Sequence, residues 1–176
     1  MNFIAKKLQK YLWEFVYGGI DGCVTTFAVV AGSVGASLET RIILILGFAN
    51  LLADGFSMSI GAYLSSKSEL QQEKKKDLKK KDFKKPHSIA LATYISFILI
   101  GLIPLSIYVA DIFVQGIPHV FFWTSVFTFF GFGLIGFLKS LVTKKSKIIS
   151  MLETIILWAM AAWVAYYVGD FLEKII

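Results

Sequence analysis

Residues 42–64 read IILILGFANLLADGFSMSIGAYL, twenty-three residues in which Asp54 is the one charged side chain. A helix rises about 1.5 Å per residue, so about 20 such residues cross the roughly 30 Å hydrocarbon core of a bilayer. An extended strand is a poor reading, because open strands leave backbone groups unpaired in lipid. The stretch therefore reads as a membrane-spanning helix, and the rest of the chain repeats the pattern. Comparable apolar runs lie at 15–37, 88–110, 120–142 and 148–172. The expectation is an all-α polytopic membrane protein. Residues 1–176 form a single transmembrane domain of five spans, with a short Lys-rich loop at 66–87. Pro104 is expected to kink the third span, a distortion that neighbouring helices tolerate in a membrane. A signal-peptide reading of the first run is disfavoured, because Gly18, Gly19 and Asp21 interrupt its apolar stretch.

Composition agrees. Of 176 residues, 56% are hydrophobic and 17% are charged, with a mean hydropathy of +0.69. Soluble domains carry about 45–50% apolar and about 25% charged residues. Disorder is excluded, since it needs low hydrophobicity. A single cysteine, Cys23, excludes a disulfide scaffold. The net charge of +6 does not point to nucleic acid, because the lysines sit in short segments between apolar runs. Sixteen of the eighteen basic residues fall at the N-terminus (Lys6, Lys7, Lys10), in the 66–87 loop, and around the fourth connection (Lys139, Lys144, Lys145, Lys147). Arg41 and Lys174 are the two on the opposite side. The positive-inside rule then places the N-terminus and the Lys-rich loop in the cytoplasm and the C-terminus on the opposite side. Trp13, Tyr17, Tyr108, Trp123, Tyr166 and Tyr167 fall near span ends, where amphipathic rings favour the headgroup level.

Ionisable groups within a span cost about 2.5–3.5 kcal/mol on insertion scales and are functional candidates by default. Asp21, Asp54 and Glu153 lie inside spans, and Glu14 and Asp170 lie near span ends. Seven residues return a helix to nearly the same face, so Glu14 and Asp21 share one. Gly18, Thr25, Ala28, Gly32 and Gly35 lie on that stripe, and small residues permit close helix approach. On the second span Asn50, Asp54, Ser57, Met58 and Gly61 cluster at i, i+4 and i+7 spacing. Within the spans neither acidic face carries a basic residue, so no salt bridge is expected there. Cys23 reads as a packed small hydrophobe, and His87 and His119 read as loop residues. Carboxylates alone suit Mg²⁺, Ca²⁺ or Mn²⁺, and a thioether shifts preference towards transition metals. A carboxylate that binds either a proton or a cation is the chemical basis of exchange. The residues thus point to a divalent-metal path through Asp21, Asp54 and Met58, although packing also accounts for Met58. One chain offers few ligands for an octahedral ion, and a two-fold homodimer would double them. The alternative is a non-transporting membrane scaffold or lipid-binding module whose buried acids only fix helix packing. Neither H-E-x-x-H nor G-x-S-x-G occurs, so an enzyme is not expected.

The stretch Tyr17-Gly18-Gly19-Ile20-Asp21-Gly22, with Thr25, Thr26, Phe27, Ala28, Ala31 and Gly32, resembles the first helix of the vacuolar iron transporter family. The stretch Asn50-Leu51-Leu52-Ala53-Asp54-Gly55-Phe56-Ser57-Met58, through Gly61, Tyr63, Leu64 and Lys67-Ser68-Glu69, resembles its second. The last three spans match in number and spacing. The resemblance implies a five-helix homodimer that moves Fe²⁺, and often Mn²⁺, out of the cytosol in exchange for protons. It implies metal-path roles for Asp21, Met58 and Glu14, with Asn50 at a position where some members carry an acid and Asp54 one turn later. Asp54 and Glu153 complete the expected metal-ligand set. No resident cofactor is implied, the metal being the transported ion. Long-loop members insert a Glu- and Met-rich helical domain that collects metal. Here the loop is short and lysine-dominated, with only Glu69, Glu73, Asp77 and Asp82 as acids.

Overall fold

The structure is a computed structural model that describes residues 3–75, 84–114 and 116–176. These residues form six helices: α1 (Phe3–Gly35), α2 (Thr40–Lys75), α3 (Pro86–Gly101), α4 (Ile103–Val114), α5 (Val120–Thr143) and α6 (Lys147–Glu173). Four of them are long and apolar enough to cross a membrane, and α3 with α4 makes a fifth if the bent pair is one span. The chain is thus a multi-pass integral membrane protein. The fourth and fifth expected spans agree with α5 and α6 to within a residue.

The main differences lie at helix ends. α1 begins well before residue 15, and α2 runs on to Lys75. Residues 66–75 therefore form helix, where a loop was expected. Neither extension meets a Gly or Pro, and Glu, Gln and Lys are good helix formers once the backbone leaves lipid. The rest of the Lys-rich loop, 76–83, lies outside the described residues. His87 is helical too, one residue into α3 behind Pro86 at the helix start. The expected kink is a full break: α3 and α4 meet at 48°, across Leu102. Pro104 lacks an N–H and its ring crowds the carbonyl four residues earlier, so the i−4 ladder cannot pass through. α1 ends in a Schellman-type cap. Ser37 takes a left-handed backbone (φ 55°), its N–H donates to Val34 O (3.0 Å), and Leu38 N–H donates to Ser33 O (2.9 Å).

α1 is the central helix and packs against all five others. Its glycines set how closely they approach. A side chain at Gly18 would strike Ser96 and the Thr93 carbonyl, and one at Gly22 would strike the Phe97 carbonyl, so this G-x-x-x-G segment seats α3. At the other end Gly32 and Gly35 seat α6, whose Gly169 closes on the Gly32 carbonyl. The expected small-residue stripe is real, but it serves two partner helices. One apolar cluster joins Val30, Leu44, Leu51, Phe97 and Leu105 across α1 to α4. A second joins Val16, Phe132 and Ile135 around fully buried Cys23, which packs as a small hydrophobe as expected.

The outer surface is apolar: Ile45, Phe130 and Trp163 are 67%, 68% and 64% exposed. In water that surface would drive aggregation; in a bilayer it is the lipid face. Because lipid tails are as apolar as leucine, helix association here relies on close packing and polar contacts. Buried Thr and Ser hydroxyls supply these, as where Thr154 Oγ1 donates to Phe132 O across α5 and α6 (3.0 Å). Thr154→Val keeps the shape and removes the hydroxyl. It should cost about 0.6 kcal/mol, the average for hydrogen bonds between membrane helices, in reversible unfolding in detergent. The hydroxyl also lies within reach of Met151 O (2.8 Å) and Ser150 O (3.2 Å) of its own helix, so no measurable loss would show that it bonds within α6 rather than across to α5.

Candidate functional site

Asp21 sits mid-way along α1, half-buried, between the two glycines that press against α3. The absence of side chains at Gly18 and Gly22 lets α3 pin the backbone on either side of the acid. The Thr25 hydroxyl, one turn on, donates to the Asp21 main-chain carbonyl (2.9 Å). That bond ties up the hydroxyl and leaves the carboxylate to other partners.

Asp54 faces the same region from α2, near enough for the two carboxylate charges to interact. Gly55, the next residue, packs against Phe97, Ile98 and Tyr94 of α3, so α3 positions both acids. Met58 lies one turn beyond Asp54 and packs at the edge of the first apolar cluster. Asn50 lies one turn before it, and its side-chain nitrogen is buried with no acceptor among the described residues. Asn50, Asp54 and Met58 thus follow one another at one-turn spacing on α2, with Asp21 of α1 near enough to Asp54 for their charges to interact. Like charges that interact within an apolar span favour the uptake of a cation or a proton.

Beside the partly buried Asn50 and Asp54, α2 carries a strip of small residues that the described chain leaves exposed. Ala49, Ala53, Ser57 and Gly61 are exposed along it, and a side chain at Gly61 would meet nothing within 4 Å. Among the described residues, no three His, Cys, Asp or Glu side chains come together in a single chain.

The other two acids of the expected set differ. Glu14, two turns before Asp21 on α1, is only 12% exposed and paired with Lys84. Lys84 Nζ donates to both carboxylate oxygens, at 2.7 and 3.0 Å. The fold thus delivers a cation to Glu14 from the far end of the Lys-rich loop. Sequence spacing could not show this, because 70 residues separate the partners. Glu153 is placed apart, at the α5 side of α6. It accepts from Lys139 (2.6 Å) and Lys145 (3.4 Å). Asp170 pairs with Lys174 one turn on (2.7 Å), an end-of-helix ion pair.

Comparison with known proteins adds to this geometry. The VIT family profile matches residues 12–82 and 70–170. A vacuolar iron transporter of Toxoplasma gondii is 51% identical over 59 residues, which cover 34% of this chain and 20% of that protein. One of Plasmodium berghei is 36% identical over 62 residues, 35% of this chain and 23% of that protein. The Arabidopsis thaliana vacuolar iron transporter homolog 4 is 31% identical over 111 residues, 59% of this chain and 56% of that protein. The matched segments span between a fifth and just over half of these relatives.

Proposed function

The chain belongs to the VIT family, and on that premise we propose that it is a proton-coupled divalent-metal transporter carrying Fe²⁺, and also Mn²⁺, out of the cytosol. The observation that carries the reading is that two acids on different helices, Asp21 on α1 and Asp54 on α2, lie within the spanning region near enough for their charges to interact. Unpaired carboxylates there are expensive unless a cation or proton relieves them. A group that alternates between the two couples their movements. Asp21 and Asp54 are the acidic ligands. Met58 contributes a soft thioether that favours Fe²⁺ over Mg²⁺ or Ca²⁺, and Asn50 adds an amide oxygen. Glu14 lines the path two turns nearer the lysine-rich side, which the charge distribution assigns to the cytoplasm. Glu153, held between two lysines, acts as an ion-pair partner there.

We assign the path to the interface of two copies. One chain presents too few ligands for an octahedral ion, and the strip of α2 beside Asn50 and Asp54 is made of small exposed residues suited to close helix approach. A second copy would cover that face and double the ligand set.

The test is Fe²⁺ flux into sealed proteoliposomes, kept reducing, with and without an imposed pH gradient. An acidic interior should accelerate uptake several-fold, and a protonophore should remove the gain. Flux indifferent to the gradient would overturn coupling and indicate a channel or uniporter. No flux of either metal from well-folded protein would overturn transport. Particles of one-chain mass that remain active would overturn the interface path.

A further inference from the structure

Lys84 occupies an unusual place for a loop lysine. Its ammonium donates to both oxygens of Glu14 and lies 5.9 Å from the centre of the Tyr11 ring. Tyr11 is three residues before Glu14, so ring and carboxylate share one face of α1 and hold the ammonium between them. The pair is partly withdrawn from solvent, with Glu14 12% and Lys84 31% exposed. The backbone also fixes it. Lys85 is extended (φ −72°, ψ 128°) and leads directly into Pro86 at the start of α3. α3 is in turn locked on α1 by Gly18 and Gly22. The lysine is delivered by the last two residues before a rigid helix.

We propose that Lys84 is a tethered competitor for the cation at Glu14, setting the metal concentration at which the cytoplasmic mouth of the path fills. This rests on the reading of Glu14 as part of that path. An ammonium that donates to both carboxylate oxygens covers the position a divalent ion takes when it binds the same oxygens, so the two occupants exclude each other. Metal must displace the lysine, and apparent affinity falls by the fraction of time the carboxylate is free. If the pair is closed about nine-tenths of the time, the penalty is about tenfold. A monovalent ion gains less from the carboxylate than a divalent one and is the poorer at displacing the lysine. The same contact thus raises the filling threshold and favours divalent cargo.

The experiment is a Mn²⁺ titration of the full chain in lipid nanodiscs at fixed pH, followed by loss of the aqueous Mn²⁺ electron paramagnetic resonance signal. Lys84→Gln should bind Mn²⁺ about tenfold more tightly than wild type. Lys84→Arg keeps the charge and should stay close to wild type. The gain should vanish in the Glu14→Gln/Lys84→Gln double variant. A merely structural ion pair predicts the opposite sign, since loosening the mouth would weaken binding. Unchanged or weaker Mn²⁺ binding by Lys84→Gln overturns the proposal. If Glu14→Gln still weakens binding in that case, the competitor role fails and the metal-path reading survives. If Glu14→Gln binds like wild type, Glu14 is not part of the site and both fail together.

Discussion

Asp21→Asn is expected to lower Fe²⁺ flux at least about a hundredfold, because losing groups that merely orient a metal ligand already costs 10–100-fold. Asparagine matches aspartate in size but carries no charge and takes up no proton at its side chain. It removes both halves of the exchange while keeping the shape between Gly18 and Gly22. Stability should hold or rise, since an acid inside a span costs about 2.5–3.5 kcal/mol that a neutral amide partly avoids. The measurement is flux in proteoliposomes beside the melting temperature of the same preparation in detergent. Lost flux with an unchanged or higher melting temperature supports the transport role. Retained flux with a lower melting temperature would mean that the acid only fixes packing, as in a membrane scaffold. Asp54→Asn is the companion. If the two carboxylates act as a unit, each single variant should lose most of the activity, and the double variant should add little.

Gly22→Val should be the most damaging substitution for the fold. In an exposed helix, replacing glycine by a residue with a side chain usually helps, by up to about 1 kcal/mol for alanine. At Gly22 the sign reverses, because the new Cβ would strike the Phe97 carbonyl oxygen of α3. Backbone cannot swing aside as a flexible side chain does. α3 must move off α1, and overpacking of this kind costs on the order of 3 kcal/mol. The expected result is a large loss of monodisperse protein on size exclusion after extraction and a sharply lowered melting temperature. Gly61→Ala is the control, since its Cβ meets nothing within the chain, so the single-chain fold should tolerate it. A Gly22→Val protein as stable as the Gly61→Ala control would show that α3 does not sit on α1 as closely as described.

Much of this architecture is legible in the sequence because a bilayer imposes a simple rule. Backbone polar groups must be paired within a helix, and the helix must be long enough to cross. Runs of that length marked five segments, four of which are single helices long and apolar enough to span, and Pro104 marked the bend in the third. The acids stood out for the same reason, as charges in segments that otherwise exclude them. Helical periodicity grouped Glu14 with Asp21 and Asn50 with Asp54 and Met58, without any knowledge of what faced them.

Contacts between distant segments were not legible. Nothing in the spacing says that α3 holds both Asp21 and Asp54 in place. Nor does it show that the glycine stripe of α1 divides between α3 and α6, because a small residue records only that something approaches closely. The helical extensions beyond lipid were hidden as well, since apolar length is silent once a helix enters water. Glu14 and Glu153 looked alike in sequence, as acids near or within spans. Tertiary structure separated them from Asp21 and Asp54 by bringing Lys84 across 70 residues to one and Lys139 with Lys145 to the other. Periodicity operates within one helix and fixed which residues share a face. Whether a charge on that face meets a lysine or another acid depends on helices far apart in the chain, and only their packing decided it.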